Sequence, residues 1–250
     1  MSEVLTFAAG GYHYLKGVFQ YSAAIAAEPG FQIERVRFRQ LAPLAEGFRA
    51  IEAHLRTIGR PLTAFCACEL RSPAPFTEAG FEAFNRQYVT PLTQWGIYKD
   101  GLNPVARSNV CPEIGAPSTP SFYAFSYTVP APAMARKSFI ISGGAEAPEG
   151  KSNYRDHIIR RGDISPDGLR DKARYVLGEM ERRMRALDFG WKDVTNTHLY
   201  TVHNIHPLLG KEIISLGAAP GGLTWHYARP PVIDLEFEAD VRGISSELVL

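Results

Sequence analysis

Three closely spaced histidines are the first residues in this sequence that suggest chemistry. His198, His203 and His206 fall within nine residues, a density that suggests zinc. The other ligands of a zinc site do not accompany them at the usual spacing. We therefore interpret these histidines as strand-end residues lining a pocket, or as plain surface residues.

Two cysteines and a glycine-rich stretch give weaker signals. Cys66 and Cys68 lie two residues apart on a predicted strand and point to one face. No histidine nearby in sequence would activate either thiol, so buried small side chains are the better interpretation. The stretch GAAPGG before Leu223 lacks the Lys-Ser/Thr pair and the following helix of a phosphate loop. None of these patterns predicts a thiol nucleophile or a nucleotide site.

Two helices and the strands after them must position any site. Apolar residues at helical spacing predict a first helix that stops at Gly59. Ser165-Pro166-Asp167 predicts the start of a second. The two apolar series are related by a shift of 129 residues: Leu44, Phe48, Ile51, Leu55 and Ile58, then Ala173, Leu177, Met180, Met184 and Leu187.

Other segments repeat in the same order. The predicted strand LTAFCACEL from Leu62 matches WKDVTNTHLYTV from Trp191 after a shift of about 130 residues. FQYSAAIAAEPG from Phe19 matches FIISGGAEAPEG from Phe139 after a shift of 120. Similar segments in the same order predict a duplicated domain.

The duplication sets the predicted domain organisation. Each copy closes with a strand, one from Ser121 and one from Pro231, and the proline-rich segment 128–137 lies between the copies. We expect domains over residues 1–128 and 129–250 that pack together. The element order predicts the α+β class, with helices on one face of a mixed sheet in each domain.

Composition excludes several classes of protein. The chain has 27 Lys and Arg against 26 Asp and Glu, without a basic stripe, which argues against nucleic-acid or membrane-surface binding. An odd number of cysteines and no CxxC pair are typical of a reduced compartment. MSEVLTFAAGG has an acidic residue where a signal peptide has a basic region. We expect a cytoplasmic protein without a membrane span.

Taken in order, these segments resemble the RidA/YjgF family of enamine and imine deaminases. The resemblance rests on FIISGG, the capped helix, WKDVTNTHLYTV and LEFEADV in the second copy, and on PVARSNV from Pro104 in the first. It implies two tandem RidA-like domains of the chorismate-mutase-like α+β type, with sites in clefts between domains. It also implies threefold assembly, so we expect a homotrimer with six such domains.

The resemblance implies a split pair of catalytic residues. Arg107 of PVARSNV matches the arginine that grips the substrate carboxylate, but Phe122 stands fifteen residues later, where the family has a glutamate. In the second copy that glutamate matches Glu236, and Gly221 stands where the arginine belongs. The half-sites could share one composite pocket, Arg107 could work with another residue, or both sites could be degenerate.

The chemistry gives each predicted site residue a role. A guanidinium makes two parallel hydrogen bonds to a carboxylate and so fixes the neighbouring C=N carbon. A glutamate can take a proton from the attacking water and return one to the leaving nitrogen. Without the family resemblance, we would interpret Arg107 as part of a surface ion pair and Glu236 as a residue on the exposed face of a strand. Further predicted contacts to substrate come from the following residues: Asn109, Ser142, Gly143, His226 and Arg229.

These features predict a hydrolytic deaminase of an enamine or imine carboxylate that releases ammonia and needs neither metal nor cofactor. Two-domain relatives of this kind include 2-aminomuconate-type deaminases of aromatic-compound degradation, so a dicarboxylate enamine is the sharper expectation. His226 or Arg229 would then bind the second carboxylate. The alternative is a non-catalytic carboxylate-binding or regulatory protein. Ribonuclease activity, attached to this family by name, gains little support from the near-neutral charge.

Overall fold

Two mixed sheets form the body of the computed structural model, which describes residues 3–132, 135–151 and 153–250. Ala133 and Met134 of the predicted inter-domain segment lie outside the described residues. The strands are β1 Val4–Phe7, β2 Tyr12–Leu15, β3 Ala24–Ala27, β4 Phe31–Pro43, β5 Phe65–Arg71, β6 Ala106–Pro112, β7 Ser121–Pro130, β8 Phe139–Ala145, β9 Asn196–Tyr200, β10 Leu223–His226, β11 Ala228–Arg229, β12 Glu238–Gly243 and β13 Ser246–Val249.

Two helices agree with the predicted signals, since one ends just before Gly59 and another begins after Ser165. The helices are α1 Leu44–Thr57, α2 Glu78–Gln94, α3 Pro166–Arg185 and α4 His206–Leu208, which continues as a π-helix over Leu209–Ile214. Ser165 caps α3 by accepting a 3.1 Å hydrogen bond from Gly168 N, and Gly59 follows α1 with φ of 68°. Every helix of the described residues is too short or too polar to cross a membrane.

Each sheet contains four strands in the same order. The six-stranded sheet runs β11-β6-β5-β7-β4-β13 and the seven-stranded sheet β1-β2-β3-β8-β12-β9-β10. In the six-stranded sheet, β5 and β6 are parallel, and the next strand, β7, is antiparallel to both of its neighbours. In the seven-stranded sheet, β9 and β10 are parallel, and the next strand, β12, is antiparallel to both of its neighbours. This shared order is that of an α+β fold and supports the predicted duplication; that each half is a RidA-like domain stays a prediction.

Strands are exchanged between the two halves of the chain. β3 pairs with β8, while β11 and β13 near the end of the chain pair with β6 and β4. β3, which belongs to the segment FQYSAAIAAEPG, lies beside β8 in the seven-stranded sheet. The strand at the position equivalent to β8 in the six-stranded sheet is β4. The predicted match of FQYSAAIAAEPG with FIISGGAEAPEG was wrong, and the domain division at residue 128 stays a prediction.

The helices bury their apolar stripes against the sheets. α1 and α2 place Phe48, Ile51, Leu55, Phe84 and Tyr88 in one core, and α3 places Leu177, Met180 and Met184 in a second core on the seven-stranded sheet. Each such side chain contributes roughly 1.5–3 kcal/mol when fully buried. These two cores attach the helices to the sheets that carry the site.

A buried cluster of four charges joins the sheets. Arg35 and Glu69 come from the six-stranded sheet, and Asp240 and Arg242 from the seven-stranded sheet. Glu69 Oε1 accepts hydrogen bonds of 2.6 Å from both Arg35 Nε and Arg242 Nη1, and Arg242 Nη2 donates to Asp240. We call these residues the inter-sheet charge cluster. Beside it, Ser142 Oγ on β8 accepts a 3.0 Å hydrogen bond from Arg107 N on β6.

Candidate active site

A cleft opens where β6, β8 and β12 approach one another. β6 contributes Arg107 and Asn109, β8 contributes Gly143 and β12 contributes Glu238. The cleft therefore joins residues from both halves of the chain. Its other walls are Tyr21, Phe81, Ala147, Glu149, Tyr154, Val232 and Leu235.

Arg107 is buried in the cleft without a carboxylate partner among the described residues. Its side chain is enclosed by the rings of Tyr88, Tyr21, Phe84 and Phe81, whose centroids lie 4.6, 5.1, 5.7 and 5.8 Å from Cζ. Nη2 donates a 2.7 Å hydrogen bond to Asn85 Oδ1, and Nη1 is buried without a partner. Since a buried cation needs a compensating charge, this guanidinium is suited to an anionic ligand.

Asn109 supplies a second free donor on the same strand. Ser72 Oγ donates a 2.9 Å hydrogen bond to Asn109 Oδ1, which fixes the amide so that Nδ2 is the remaining group. Nδ2 is buried without a partner in the described structure. Residues two apart on a strand share a face at a spacing of about 6.6 Å, so Arg107 and Asn109 present a row of two donors.

Glu238 brings a carboxyl group into the same cleft. Burial raises its pKa well above the usual range, and the charges of Asp240 and Glu146 raise it further. Arg71 and Arg107 oppose this shift without cancelling it. The raised pKa favours the protonated form of Glu238, which is the form that can act as a general acid.

Glu236, the predicted glutamate, does not line the cleft. Its Oε2 lies 2.7 Å from His203 Nε2 and 3.7 Å from Arg229 Nη1, with the side chain partly exposed. The sheet pairings explain the difference. Tyr200 pairs with Glu238 on β12, and Leu70, the residue 130 positions earlier, pairs with Phe122 on β7. Phe122 is therefore equivalent to Glu238, and the sequence match was two residues too early.

His226 and Arg229 also lie away from the cleft. His226 stacks on Tyr200 with ring centroids 5.0 Å apart, and burial followed by the charge of Arg71 lowers its pKa to about 4. It is neutral at neutral pH and does not supply the predicted second cation. Arg229 Nε donates a 2.8 Å hydrogen bond to Glu113 at the edge of the six-stranded sheet.

Ser142 and Gly143 lie where the resemblance implied. Gly143 lines the cleft, and Ser142 lies behind it, where its hydroxyl links β8 to β6 and donates a 2.5 Å hydrogen bond to Ser22 O. Of the seven predicted site residues, the structure thus brings Arg107, Asn109, Ser142 and Gly143 together. It separates Glu236, His226 and Arg229 from them.

Three residues at the cleft were not predicted from the sequence: Tyr21, Glu149 and Tyr154. They occupy loops, and Glu149 and Tyr154 belong to the connection between β8 and α3. Loop residues carry no periodic pattern, so only their distance in space from Arg107 identifies them. The Glu-Pro-Gly and Pro-Glu-Gly turns around positions 28 and 149 mark the loops but not their location.

Cys66, Cys68 and His198 are buried, and burial disfavours the charged form of each. Cys66 and Cys68 are buried, and burial raises the pKa of Cys68 to about 12. Burial, followed by the charge of Arg242, lowers the pKa of His198 to about 3. Across residues 3–132, 135–151 and 153–250, no group of three or more His, Cys, Asp and Glu side chains has the arrangement of a metal site.

Comparisons with known proteins address the fold and the family. A family model described as 2-aminomuconate deaminase CnbZ matches residues 4–248. A 2-amino-5-chloromuconate deaminase from Comamonas testosteroni is 56% identical over 251 residues, covering 100% of both chains. A chorismatase structure superposes with a TM-score of 0.51 at 11% identity, over 92% of this chain and 79% of that one. The YjgF protein of E. coli, at 17% identity and a TM-score of 0.32, covers 43% of this chain and 80% of its own.

Proposed function

Because the chain belongs to the family described as 2-aminomuconate deaminase CnbZ, we propose that it hydrolyses 2-aminomuconate or a substituted 2-aminomuconate in aromatic-compound degradation. The products are ammonia and a 2-hydroxy-enoate or 2-oxo acid. The named activity of the Comamonas relative supports this substrate class. The observation that carries the proposal is the buried guanidinium of Arg107, which has a free Nη1 and no carboxylate partner among the described residues.

Two donors on β6 match a substrate with two carboxylates. Arg107 Nη1 binds the carboxylate beside the C–N carbon, and Asn109 Nδ2 binds the second one. Both side chains line the same cleft, so one ligand with two carboxylates can reach both donors. Asn109 takes the place that the sequence assigned to His226 or Arg229.

Glu238 performs the proton transfers. Its carboxyl group first protonates the β-carbon of the enamine, which gives an iminium. The resulting carboxylate then accepts a proton from the water that attacks the C=N carbon. The carbinolamine nitrogen next takes the proton from Glu238 and leaves as ammonia with the C–N electron pair. The carbinolamine hydroxyl proton returns to Glu238 as the C=O bond forms. These steps balance with water and one carboxyl group, so we infer that no cofactor takes part.

Ammonia release from 2-aminomuconate tests the proposal. Wild-type protein should accelerate it above buffer, and Glu238→Gln should lower kcat by roughly 100-fold or more, since an amide transfers no proton. Glu236→Gln is the matched control and should stay near wild-type activity, because that side chain lies outside the cleft. Arg107→Ala should weaken binding of unreactive muconate by roughly 10- to 100-fold.

The pH profile gives a second measurement of the same proposal. Glu238 must start protonated, so kcat/KM should fall as pH rises through its raised pKa. This fall should be absent from the residual activity of Glu238→Gln. No acceleration over buffer for wild type, or equal losses in Glu236→Gln and Glu238→Gln, would sink the proposal. The predicted homotrimer is a separate question for light scattering.

A further inference from the structure

Glu149 places a second carboxylate in the cleft, which the steps above do not use. It lies on the connection between β8 and α3, and its side chain is 20% exposed. Oε1 accepts a 2.9 Å hydrogen bond from Tyr21 Oη and lies 3.1 Å from Arg183 Nη2. The carboxylate is therefore held in a fixed position facing the cleft.

Tyr21 connects this carboxylate to the cationic group of the site. Its ring lies 5.1 Å from Arg107 Cζ, and its hydroxyl donates to Glu149. A positive and a negative side chain are thus held on the two sides of one tyrosine in a single cleft. A molecule that binds between them should carry a negative group for Arg107 and a positive group for Glu149.

A 2-imino acid has this arrangement of charges. Its carboxylate and its nitrogen are attached to adjacent carbons, and the nitrogen becomes positive in the iminium and again when it takes a proton before leaving. Resting on the function proposed above, we propose that Glu149 binds the substrate nitrogen and is a further catalytic residue. It stabilises the two cationic states of that nitrogen while Arg107 holds the carboxylate.

Arg183 does not depend on Glu149 alone for its position. Arg183 Nε also donates a 3.0 Å hydrogen bond to Glu179 Oε1, and its Nη1 donates a 3.2 Å hydrogen bond to Ser142 O. Arg183 thus keeps an acidic partner on its own helix when Glu149 is neutralised. Glu179 does not line the cleft, which makes it the matched control.

Binding of two saturated six-carbon dicarboxylates isolates the contact to nitrogen. Adipate carries the carboxylates alone, and 2-aminoadipate adds a positive nitrogen at the second carbon. By calorimetry, wild-type protein should bind 2-aminoadipate roughly tenfold more tightly than adipate, the difference expected for a charge-assisted hydrogen bond. Glu149→Gln should remove this preference without changing the Kd for adipate, and Glu179→Gln should retain it.

The outcomes separate this proposal from the deaminase assignment. A wild-type protein without preference for 2-aminoadipate, or a Glu149→Gln variant that keeps the preference, would overturn the role of Glu149. So would equal weakening of both ligands in that variant, which is the result of a purely structural role. Absence of ammonia release from 2-aminomuconate would instead overturn the reaction and leave the binding preference intact.

Discussion

At the scale of single residues, Gly143 decides how closely the strands of the site approach. A Cβ added there would overlap Glu238 Oε1 and lie 3.0 Å from Ser108 Cβ. Glu238 stands on β12, the neighbour of β8 in the seven-stranded sheet, and Ser108 stands on β6 of the six-stranded sheet. The glycine therefore leaves room for the side chain of Glu238, the proposed general acid, beside the strand β6 that carries Arg107.

We predict that Gly143→Ala lowers kcat/KM at least tenfold, because Glu238 must move from its position and small misplacements are costly. The measurement is ammonia release together with the thermal midpoint. Gly178→Ala is the control, since its added Cβ meets no atom within 4 Å and alanine stabilises a helix interior by about 0.5–1 kcal/mol. Full activity in Gly143→Ala would refute this role for the glycine.

Much of the candidate site could be predicted from short motifs. ARSNV placed Arg107 and Asn109 at the cleft, and FIISGG placed Gly143 there. The glutamate could not be placed by pattern alone. Glu236 and Glu238 alternate with apolar residues, and a shift of two leaves the alternation of a strand unchanged. Only the pairing of β12 with β9 distinguishes them.

At the scale of strands and sheets, the inter-sheet charge cluster fixes how the two sheets meet. Burial disfavours the charge on Glu69, but Arg242 and Arg35 together hold its pKa well below the usual range. Glu69→Ala leaves two buried arginines short of a counter-charge. We predict a loss of about 3–5 kcal/mol in the free energy of unfolding, measured with urea.

An exposed ion pair provides the comparison for Glu69. Glu82 and Arg86 are one turn apart on α2, with side chains 55% and 70% exposed. Glu82→Ala should change the free energy of unfolding by no more than about 0.5 kcal/mol. If Glu69→Ala behaves like Glu82→Ala, the cluster does not hold the sheets together.

The helices were predictable and the strand partners were not. The apolar stripes of α1 and α3 and the cap at Ser165 are local signals that survive in the fold. β3, β11 and β13 pair with strands from the opposite half of the chain, and β11 has only two residues. Alternation along a strand identifies its buried face but carries no information about a distant partner.

At the scale of the whole molecule, strand exchange makes each half depend on the other. A fragment of residues 1–128 lacks β8, the partner of β3, and a fragment of residues 129–250 lacks β4 and β6, the partners of β13 and β11. We predict that neither fragment alone gives a cooperative urea transition, because unpaired strands and apolar faces stay exposed. Two independent transitions would instead support separate domains at residue 128.

Placing Arg107 on β6 and Glu238 on β12 also constrains how the gene can change. Thr224 is equivalent to Arg107, because it pairs with His198 as Arg107 pairs with Cys68. Phe122 is equivalent to Glu238. Each half of the chain thus supplies one member of the proposed pair and lacks the other. Loss of either half would remove a group that the survivor cannot replace, even by self-association. The gene must therefore retain both halves for the proposed pair of residues to stay complete.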